Sequence, residues 1–274
     1  MIGKFKLNTK YEIDMNHFNK YLIIGNGFSA VSNHMKILTY SELLTNIHNR
    51  KIFNACLHVE QGVSEKQVSW LKQLLKKYHM NNEISVVSYF DKFQRCPGAL
   101  NHKVFNYNTL ISTPKKINQS HYYSVLMIDD RCAEMSDHTS GQHIQMMVLI
   151  EAARQMVLAV TEKFFIDSSM RSKLSFVANS IESTFSQFIF PFSTEMHCYI
   201  LKQRILPGNN ITNFLKIEFM QNKTFCAEIR MNSSALTKDF LKNKENAMVS
   251  LVSRTYLQAL ENEIIDLSMV VNNG

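Results

Sequence analysis

The sequence predicts an α+β protein in which an antiparallel sheet wraps around one long helix, preceded by a small α/β domain. Three observations indicate this class. Strand-like and helix-like segments alternate in the first hundred residues, residues 145–165 form a helical pattern that is apolar on nearly every side, and four strand-like segments follow. Pro97 and Gly98 together are a linker signal, so we predict domains at 1–97 and 98–274.

In the first domain we predict strands at residues 20–28, 53–62 and 83–90. Each of these segments contains a short apolar run of strand length. Between the last two strands, residues 64–80 carry apolar side chains at helical spacing, and Ser64 is a suitable N-cap. Because a helical crossover connects these strands, we expect them to pair in parallel.

The second domain is predicted to open with a hairpin and then to bury its longest helix. The strands after this helix alternate between apolar and polar residues, which is typical of an antiparallel sheet. The chain then closes with an amphipathic helix. The predicted strands are 108–114, 122–130, 175–190, 195–206, 214–221 and 224–232, and the predicted helices are 145–165 and 244–262.

The composition excludes several classes of protein. Hydrophobic residues make up 45% and charged residues 19% of the chain, which favours a folded globular protein. No apolar run approaches the roughly 18 residues that a membrane helix needs, and the N-terminus lacks the apolar block of a signal peptide. We therefore expect a soluble, cytoplasmic protein with no membrane contact. The net charge of +7 comes from lysines and arginines that are scattered along the chain, so we expect no nucleic-acid partner.

Neither the cysteines nor the glycines indicate a metal or cofactor site. The five cysteines include no CxxC pair and no histidine at zinc-finger spacing, so we expect reduced, buried thiols and no metal. The pair Gly25 and Gly27 lacks the third glycine of a dinucleotide-binding loop. We expect ordinary turn glycines there, and no cofactor.

A narrow polar stripe interrupts the apolar helix. Glu151, Arg154 and Gln155 stand at i, i+3 and i+4 and so share one face. Burying them costs several kcal/mol unless they pair with one another or face a site, and helix geometry leaves both explanations open. His138 and His143 precede the helix, whose first N–H groups could form an oxyanion hole for a thioester carbonyl.

The segment GQHIQMMVLIEAARQM (141–156) resembles the signature of the A-factor biosynthesis hotdog family. In that family an Asp-His-Val-Pro-Gly-Met segment runs into Leu-Leu-Leu-Glu-Ala-Ala-Arg-Gln, and the resemblance covers roughly residues 100–265. The positions that align without a gap are His143, Met147, Glu151, Ala152, Ala153, Arg154 and Gln155.

The resemblance implies a hotdog fold and an acyltransferase. Such enzymes move a β-ketoacyl group from an acyl carrier protein or CoA thioester to a small hydroxylated acceptor, such as dihydroxyacetone phosphate, in γ-butyrolactone signal synthesis. Glu151 would then be the general base inside an apolar acyl cavity, His143 would assist it, and Arg154 would hold the phosphate or pair with Glu151. The implied catalytic residues are Glu151, His143, Arg154 and Gln155, and the implied substrate-binding residues are His138, Gln142, Met146 and Met147.

The sequence departs from the family pattern in three places. Gln145 and Met146 replace the Pro-Gly pair, and Gln142 replaces the usual aspartate. Namesake members carry two tandem hotdog repeats, whereas residues 1–97 show no second copy of the helix, so we expect a homodimer with sites near its interface. Two other functions stay open: a hotdog dehydratase or thioesterase, and a non-catalytic protein that binds an acyl ligand or a partner.

Overall fold

A computed structural model describes residues 19–136, 140–206 and 210–272 of the chain. Within these ranges the protein has two sheets. A four-stranded parallel sheet with the order β2-β1-β3-β4 comes first along the chain, and a six-stranded sheet with the order β5-β6-β8-β9-β10-β7 follows. All strand pairs in the second sheet are antiparallel. The predicted α+β class is confirmed.

The N-terminal unit contains the three predicted strands and their predicted parallel pairing. Ser64 caps the helix between the last two strands, and its hydroxyl accepts a hydrogen bond from the N–H of Gln67. A short strand and a second helix were not predicted. The elements are β1 (Asn19–Ile24), β2 (Ile37–Thr39), α1 (Tyr40–His48), β3 (Ala55–Val59), α2 (Glu65–Lys77) and β4 (Ile84–Ser88).

The second unit is an antiparallel sheet that curls around one helix, which is the hotdog architecture. The long helix and all the strands after it lie where the sequence predicts them, to within a few residues. The elements are α3 (Gly98–Asn101), β5 (Lys115–Lys116), β6 (His121–Val125), α4 (Met146–Phe164), β7 (Leu174–Phe185), β8 (Thr194–Leu206), β9 (Asn210–Gln221), β10 (Thr224–Thr237) and α5 (Lys238–Asn272).

Helix α4 is the centre of the main hydrophobic core. Its sequence is rich in alanine, leucine and methionine, which favour a helix. Val148, Ala152 and Met156 are fully buried and belong to one cluster with Leu215 and Ile217 of β9. The sheet therefore buries the helix on almost every side, as predicted.

Two predicted strands differ from the observed ones. The segment 175–190 ends as a strand at Phe185, because the N–H groups of Ser186 and Gln187 both donate to the carbonyl of Cys226 and turn the chain away. The first strand of the hairpin is reduced to a β-bridge at Ile111 and the two residues of β5.

The two units pack tightly together. Gln61, at the end of β3, is fully buried, and its side-chain amide donates to the carbonyl of Leu126 and accepts from the N–H of Ile128. Ile24 and Phe28 belong to the same core cluster as α4. The carboxyl edge of the parallel sheet therefore contacts Leu126 and Ile128, which follow β6 in the chain. The domain boundary at 97/98 stays a prediction.

Helix α5 is the least covered element of the described chain. Its first turn contacts β10 and β7, but every side chain from Lys242 to Glu261 is exposed, including Leu251 and Tyr256. The predicted apolar face of this helix is therefore not covered within one chain. No helix among the described residues combines the length and the apolar character that crossing a membrane requires. All five cysteines are free and buried, as predicted.

Candidate active site

The polar stripe of α4 is longer than the sequence indicates and is covered by a second segment of the chain. Glu162 lies eleven residues after Glu151, three helical turns, and so shares its face. Residues 101–103, at the end of α3, run along this face. Three side-chain pairs join the two elements: Lys103 with Glu151, Asn101 with Gln155, and His102 with Glu162.

Glu151 is the centre of a network of charges. Arg154 donates from its Nε and from a terminal nitrogen to the two carboxylate oxygens, each at 2.7 Å. The Nζ of Lys103 lies 2.8 Å from Oε1, and Gln155 donates to the same oxygen at 3.0 Å. Lys103 also reaches Glu134 at 3.3 Å. The stripe residues therefore satisfy one another, and the Glu151 side chain is 16% exposed.

These contacts set the charge of Glu151. Burial alone would raise the pKa of this carboxyl, but the hydrogen bonds from Arg154, Lys103 and Gln155 outweigh it and lower the pKa to about 2. Glu151 is accordingly ionised at every physiological pH. A carboxylate with such a low pKa is a weak base, so this geometry favours an electrostatic or orienting role over proton abstraction.

Gln155 fixes the backbone beside the network. It is fully buried, and its Oε1 accepts from the N–H of Leu110 at 2.8 Å and from Asn101 at 3.3 Å. Its Nε2 donates to the carbonyl of Asn108 at 2.8 Å and to Glu151. Because the amide uses its full hydrogen-bonding capacity, Gln155 holds the 101–110 segment against α4 and leaves nothing to bind a substrate.

His143 lies in the loop before α4. Its Nδ1 is 3.3 Å from the hydroxyl oxygen of Ser140, and its ring centroid is 4.7 Å from that of Phe188. The same hydroxyl accepts the N–H of His143 and so shapes the loop. The N–H of Ile144 donates to the carbonyl of Ile189 at 2.7 Å, which anchors the loop to the sheet. The imidazole is half-buried, with one edge open to solvent.

The N-terminus of α4 is open. Gln145 is the N-cap without a side-chain cap, its Nε2 is buried without a partner, and its carbonyl accepts from Val148 and Leu149. Met146 and Met147, whose N–H groups have no acceptor within the helix, are 53% and 56% exposed. The first turn of α4, whose N–H groups are predicted to form an oxyanion hole, therefore lies at the surface of the chain.

The structure brings the predicted residues together only in part. Glu151, Arg154 and Gln155 form one network, whereas His143 makes no hydrogen bond to Glu151 within the described chain. Gln142 is exposed in the same loop as His143. His138 lies outside the described residues. Neither His143 nor Glu151 is among the residues that line three prominent clefts of the described surface.

Sequence reasoning missed Lys103 and Glu134, which complete the charge network. The sequence contains a weak signal for the first, because Asn101, His102 and Lys103 are three consecutive polar residues. They follow Pro97 and Gly98, which are typical of a linker, and for this reason these three residues are not assigned to the site from the sequence alone. Across the described ranges, no three His, Cys, Asp or Glu side chains are arranged to hold a metal ion.

Comparisons with solved structures find weak likenesses. A thioesterase from Pseudomonas aeruginosa is 9% identical with a TM-score of 0.35, covering 65% of this chain and 96% of that one. A thioesterase from Haemophilus influenzae is 11% identical with a TM-score of 0.34, covering 50% and 95%. A virulence protein from Campylobacter jejuni is 16% identical with a TM-score of 0.35, covering 51% and 92%.

The comparison with protein families is decisive for the second unit. No curated protein matches the chain. The model of the A-factor biosynthesis hotdog domain matches residues 90–237, a range that contains α4 and the whole antiparallel sheet. This range is more than half of the chain, and it includes the histidine and the Glu-Ala-Ala-Arg-Gln run on which the resemblance rests. The chain therefore belongs to the family of A-factor biosynthesis hotdog domains.

Proposed function

We propose that this protein is an acyl-thioester enzyme that transfers a β-ketoacyl or other acyl group from an acyl carrier protein or CoA to a small hydroxylated acceptor. Dihydroxyacetone phosphate is the acceptor that the family resemblance suggests, with a place in signal or secondary-metabolite synthesis. The observation that carries the proposal is the half-buried Glu151–Arg154 pair, one and a half turns after the exposed N-terminus of α4 and within the matched range. Buried free cysteines are consistent with a cytoplasmic location.

The open N-terminus of α4 suits the thioester carbonyl. In the proposed reaction the acceptor hydroxyl oxygen attacks the carbonyl carbon, and the N–H groups of Met146 and Met147 stabilise the oxyanion that forms. The unpartnered Nε2 of Gln145 is a further donor at the same helix end. When the intermediate collapses, the carbon–sulfur bond breaks, the ester is released and the thiol leaves with the proton.

We assign proton transfer to His143 rather than to Glu151. With a pKa of about 2, Glu151 takes up a proton poorly, whereas an accessible imidazole can remove the proton from the acceptor hydroxyl and return it to the leaving sulfur. Glu151 then orients Arg154, whose side chain is 36% exposed and can bind negative charge on the substrate.

We further propose that a homodimer completes the acyl cavity. Strand β7 is an edge strand, and it is exposed from residue 178 to Phe185. Ile181, Phe185 and Phe188 expose apolar surface along this edge, and Met147 does so at the start of α4. A second copy paired along β7 would cover this surface, and the acyl chain would lie between the two copies.

Purified protein incubated with β-ketoacyl thioesters of a carrier protein or CoA, together with dihydroxyacetone phosphate, tests the proposal. An ester product supports it, and a free acid would indicate the thioesterase instead. A β-hydroxyacyl thioester, offered in a parallel incubation, would give an enoyl product if the protein were a dehydratase. Arg154→Lys should reduce turnover roughly a hundredfold, because lysine lacks the planar fork that pairs with Glu151. Arg254→Lys, at an exposed position of α5, is the matched control and should leave turnover unchanged.

One observation favours the non-catalytic alternative. All the hydrogen bonds that Glu151 needs are supplied by Arg154, Lys103 and Gln155, as expected for a purely structural ion pair. A binding protein would show no product with any thioester but would retain an acyl ligand, which native mass spectrometry detects. Turnover that disappears in Arg154→Lys while the protein stays folded would exclude this alternative.

A further inference from the structure

A cleft opens at the C-terminal end of the central helix α4. It has a volume of about 650 Å³ and is formed by α3, the last turn of α4, the connection to β7, the start of β7 and the first residue of α5. Glu162 in this cleft lies about 16 Å from Glu151 along the helix axis, at 1.5 Å for each of eleven residues. The two sites are therefore separate, and binding here does not depend on the proposed thioester chemistry.

An imidazole–carboxylate pair forms the floor of this cleft. The Nε2 of His102 lies 3.0 Å from Oε1 of Glu162, and the His102 ring packs edge-on against Phe176 with centroids 5.2 Å apart. The Glu162 side chain is only 1% exposed, yet its Oε2 has no hydrogen-bond partner. A buried carboxylate oxygen without a donor costs free energy, so a donor is missing at this position.

Two cationic groups border the same cleft. The Nε of Arg171 donates to the backbone carbonyl of Glu162 at 3.0 Å and lies 3.9 Å from its Oε2. The terminal nitrogens of Arg171 and the Nζ of Lys238 have no partner among the described residues. Arg171 and Lys238 thus place two cations beside the single carboxylate of Glu162.

Capping of the α4 C-terminus explains part of this arrangement. Arg171 lies at the negative end of the helix dipole, where cations are stabilising. Capping explains neither the unpartnered Oε2 of Glu162 nor the free terminal nitrogens of Arg171. Both features, together with the open volume between them, are those of a ligand site that offers one acceptor and one cationic fork.

We propose that the cleft binds the anion of a hydroxycarboxylic acid with an alkyl chain. The carboxylate pairs with the terminal nitrogens of Arg171 and with Lys238, and the hydroxyl donates to Oε2 of Glu162. Leu100, Leu174 and Phe176 supply the apolar wall for the alkyl chain. A monoanion fits this cleft better than a doubly charged phosphate, because the nearby Glu162 carboxylate would repel the second negative charge.

Calorimetric titration of the full chain with three probes tests the inference. The probes are 3-hydroxyoctanoate, octanoate, which lacks the hydroxyl, and octyl phosphate, which replaces the carboxylate by a dianion. We expect 3-hydroxyoctanoate to bind roughly tenfold more tightly than octanoate and octyl phosphate to bind most weakly, since a hydrogen bond to a charged group has about this effect. Equal affinities for the two acids would overturn the role of Glu162, and tighter binding of the phosphate would overturn the choice of a monoanion.

Variants of Arg171 and Glu162 test whether the acid binds in this cleft. Arg171→Met keeps the length of the side chain and should weaken 3-hydroxyoctanoate binding at least roughly tenfold. Arg254→Met, at an exposed position of α5, is the matched control and should bind like the unaltered chain. Glu162→Met should abolish the preference for the hydroxylated acid; if this variant does not fold, the comparison of acids on the unaltered chain still decides. An absence of saturable binding, or an unchanged affinity in Arg171→Met, would refute the site.

Discussion

The Nζ of Lys103 lies 2.8 Å from Oε1 of Glu151, although Lys103 follows the short helix α3 and Glu151 belongs to the central helix. Lys103 therefore adds a second cation to the network, and the Glu151 carboxylate pairs with both Arg154 and Lys103. A residue that the family signature marks as functional is therefore also part of the packing. Its effects on stability and on turnover must be measured separately.

The network predicts how stability depends on pH. The pKa of Glu151 is lowered to about 2 in the folded protein and returns to about 4.5 on unfolding. The stabilisation is therefore complete above pH 4.5 and is lost as the pH falls toward 2. The difference corresponds to about 3 kcal/mol in the free energy of unfolding. Urea unfolding at pH 7 and at pH 3 should show roughly 2 kcal/mol of this loss in the unaltered chain, because the folded-state carboxyl is still mostly ionised at pH 3.

The variant Glu151→Gln tests whether Glu151 is the group that causes this pH dependence of stability. It should be destabilised at pH 7, because Lys103 and Arg154 lose their carboxylate, and it should show a smaller loss of stability between pH 7 and pH 3. Glu261→Gln, at an exposed position of α5, is the control and should retain the full pH dependence. If Glu151→Gln retains it as well, the depressed pKa belongs to another group.

Gln155 should be more important for stability than for chemistry. Its amide makes four hydrogen bonds in a fully buried position. Gln155→Leu has a similar volume but leaves the N–H of Leu110 and the carbonyl of Asn108 unpaired, so it should lower the free energy of unfolding by roughly 3 kcal/mol or more. Urea unfolding measures the loss. The exposed control Gln187→Leu should change stability little, and equal stability of both variants would contradict the assigned role.

The sequence alone predicts the central helix and its polar stripe because both are local patterns. A period of 3.6 residues places Glu151, Arg154 and Gln155 on one face whatever the rest of the chain does. The contact with Lys103 is long-range, and no local periodicity encodes it. Strand β2 was missed for a different reason: three residues that run directly into helix α1 are too few to show alternation.

His143 should carry the proton in the proposed reaction. His143→Gln can keep the contact with Ser140 but has no ring nitrogen to take up and return a proton, so it should lower kcat roughly a hundredfold. Steady-state rates with a carrier-protein thioester at pH 7 test this. His34→Gln, at an exposed position of the N-terminal unit, should keep the kcat of the unaltered chain. An unchanged kcat in His143→Gln would exclude this imidazole as the base.

Asp130 should destabilise the junction between the two units at neutral pH. Burial raises the pKa of Asp130 to about 6, even though it accepts a hydrogen bond from the N–H of Gly27, and its Oδ1 is buried without a partner. Because the folded-state pKa lies above the usual 3.8, the free energy of unfolding falls as the pH rises from 3.8 through 6. Asp130→Asn keeps the acceptor for Gly27 without the charge.

At pH 8, Asp130→Asn should therefore be more stable than the unaltered chain by about 3 kcal/mol, and at pH 4 the difference should fall below about 1 kcal/mol. Thermal unfolding at the two pH values measures it. Asp239→Asn, at an exposed position of α5, is the control and should show no such pH dependence. A stabilisation that is the same at both pH values would mean that packing, and not charge, is responsible.

The exposed edge of β7 should form the dimer interface. Ile181 and Phe185 are 44% and 39% exposed on this edge strand, and a charge there is incompatible with a strand pair buried between two copies. Ile181→Lys should convert the dimer into monomers in sedimentation velocity while leaving the helical and strand content unchanged. Phe53→Lys, at an exposed apolar residue of the N-terminal unit, is the control and should remain dimeric. If the acyl cavity lies between the copies, the Ile181→Lys monomer should also lose thioester turnover; a fully active monomer would show that one chain contains the whole site.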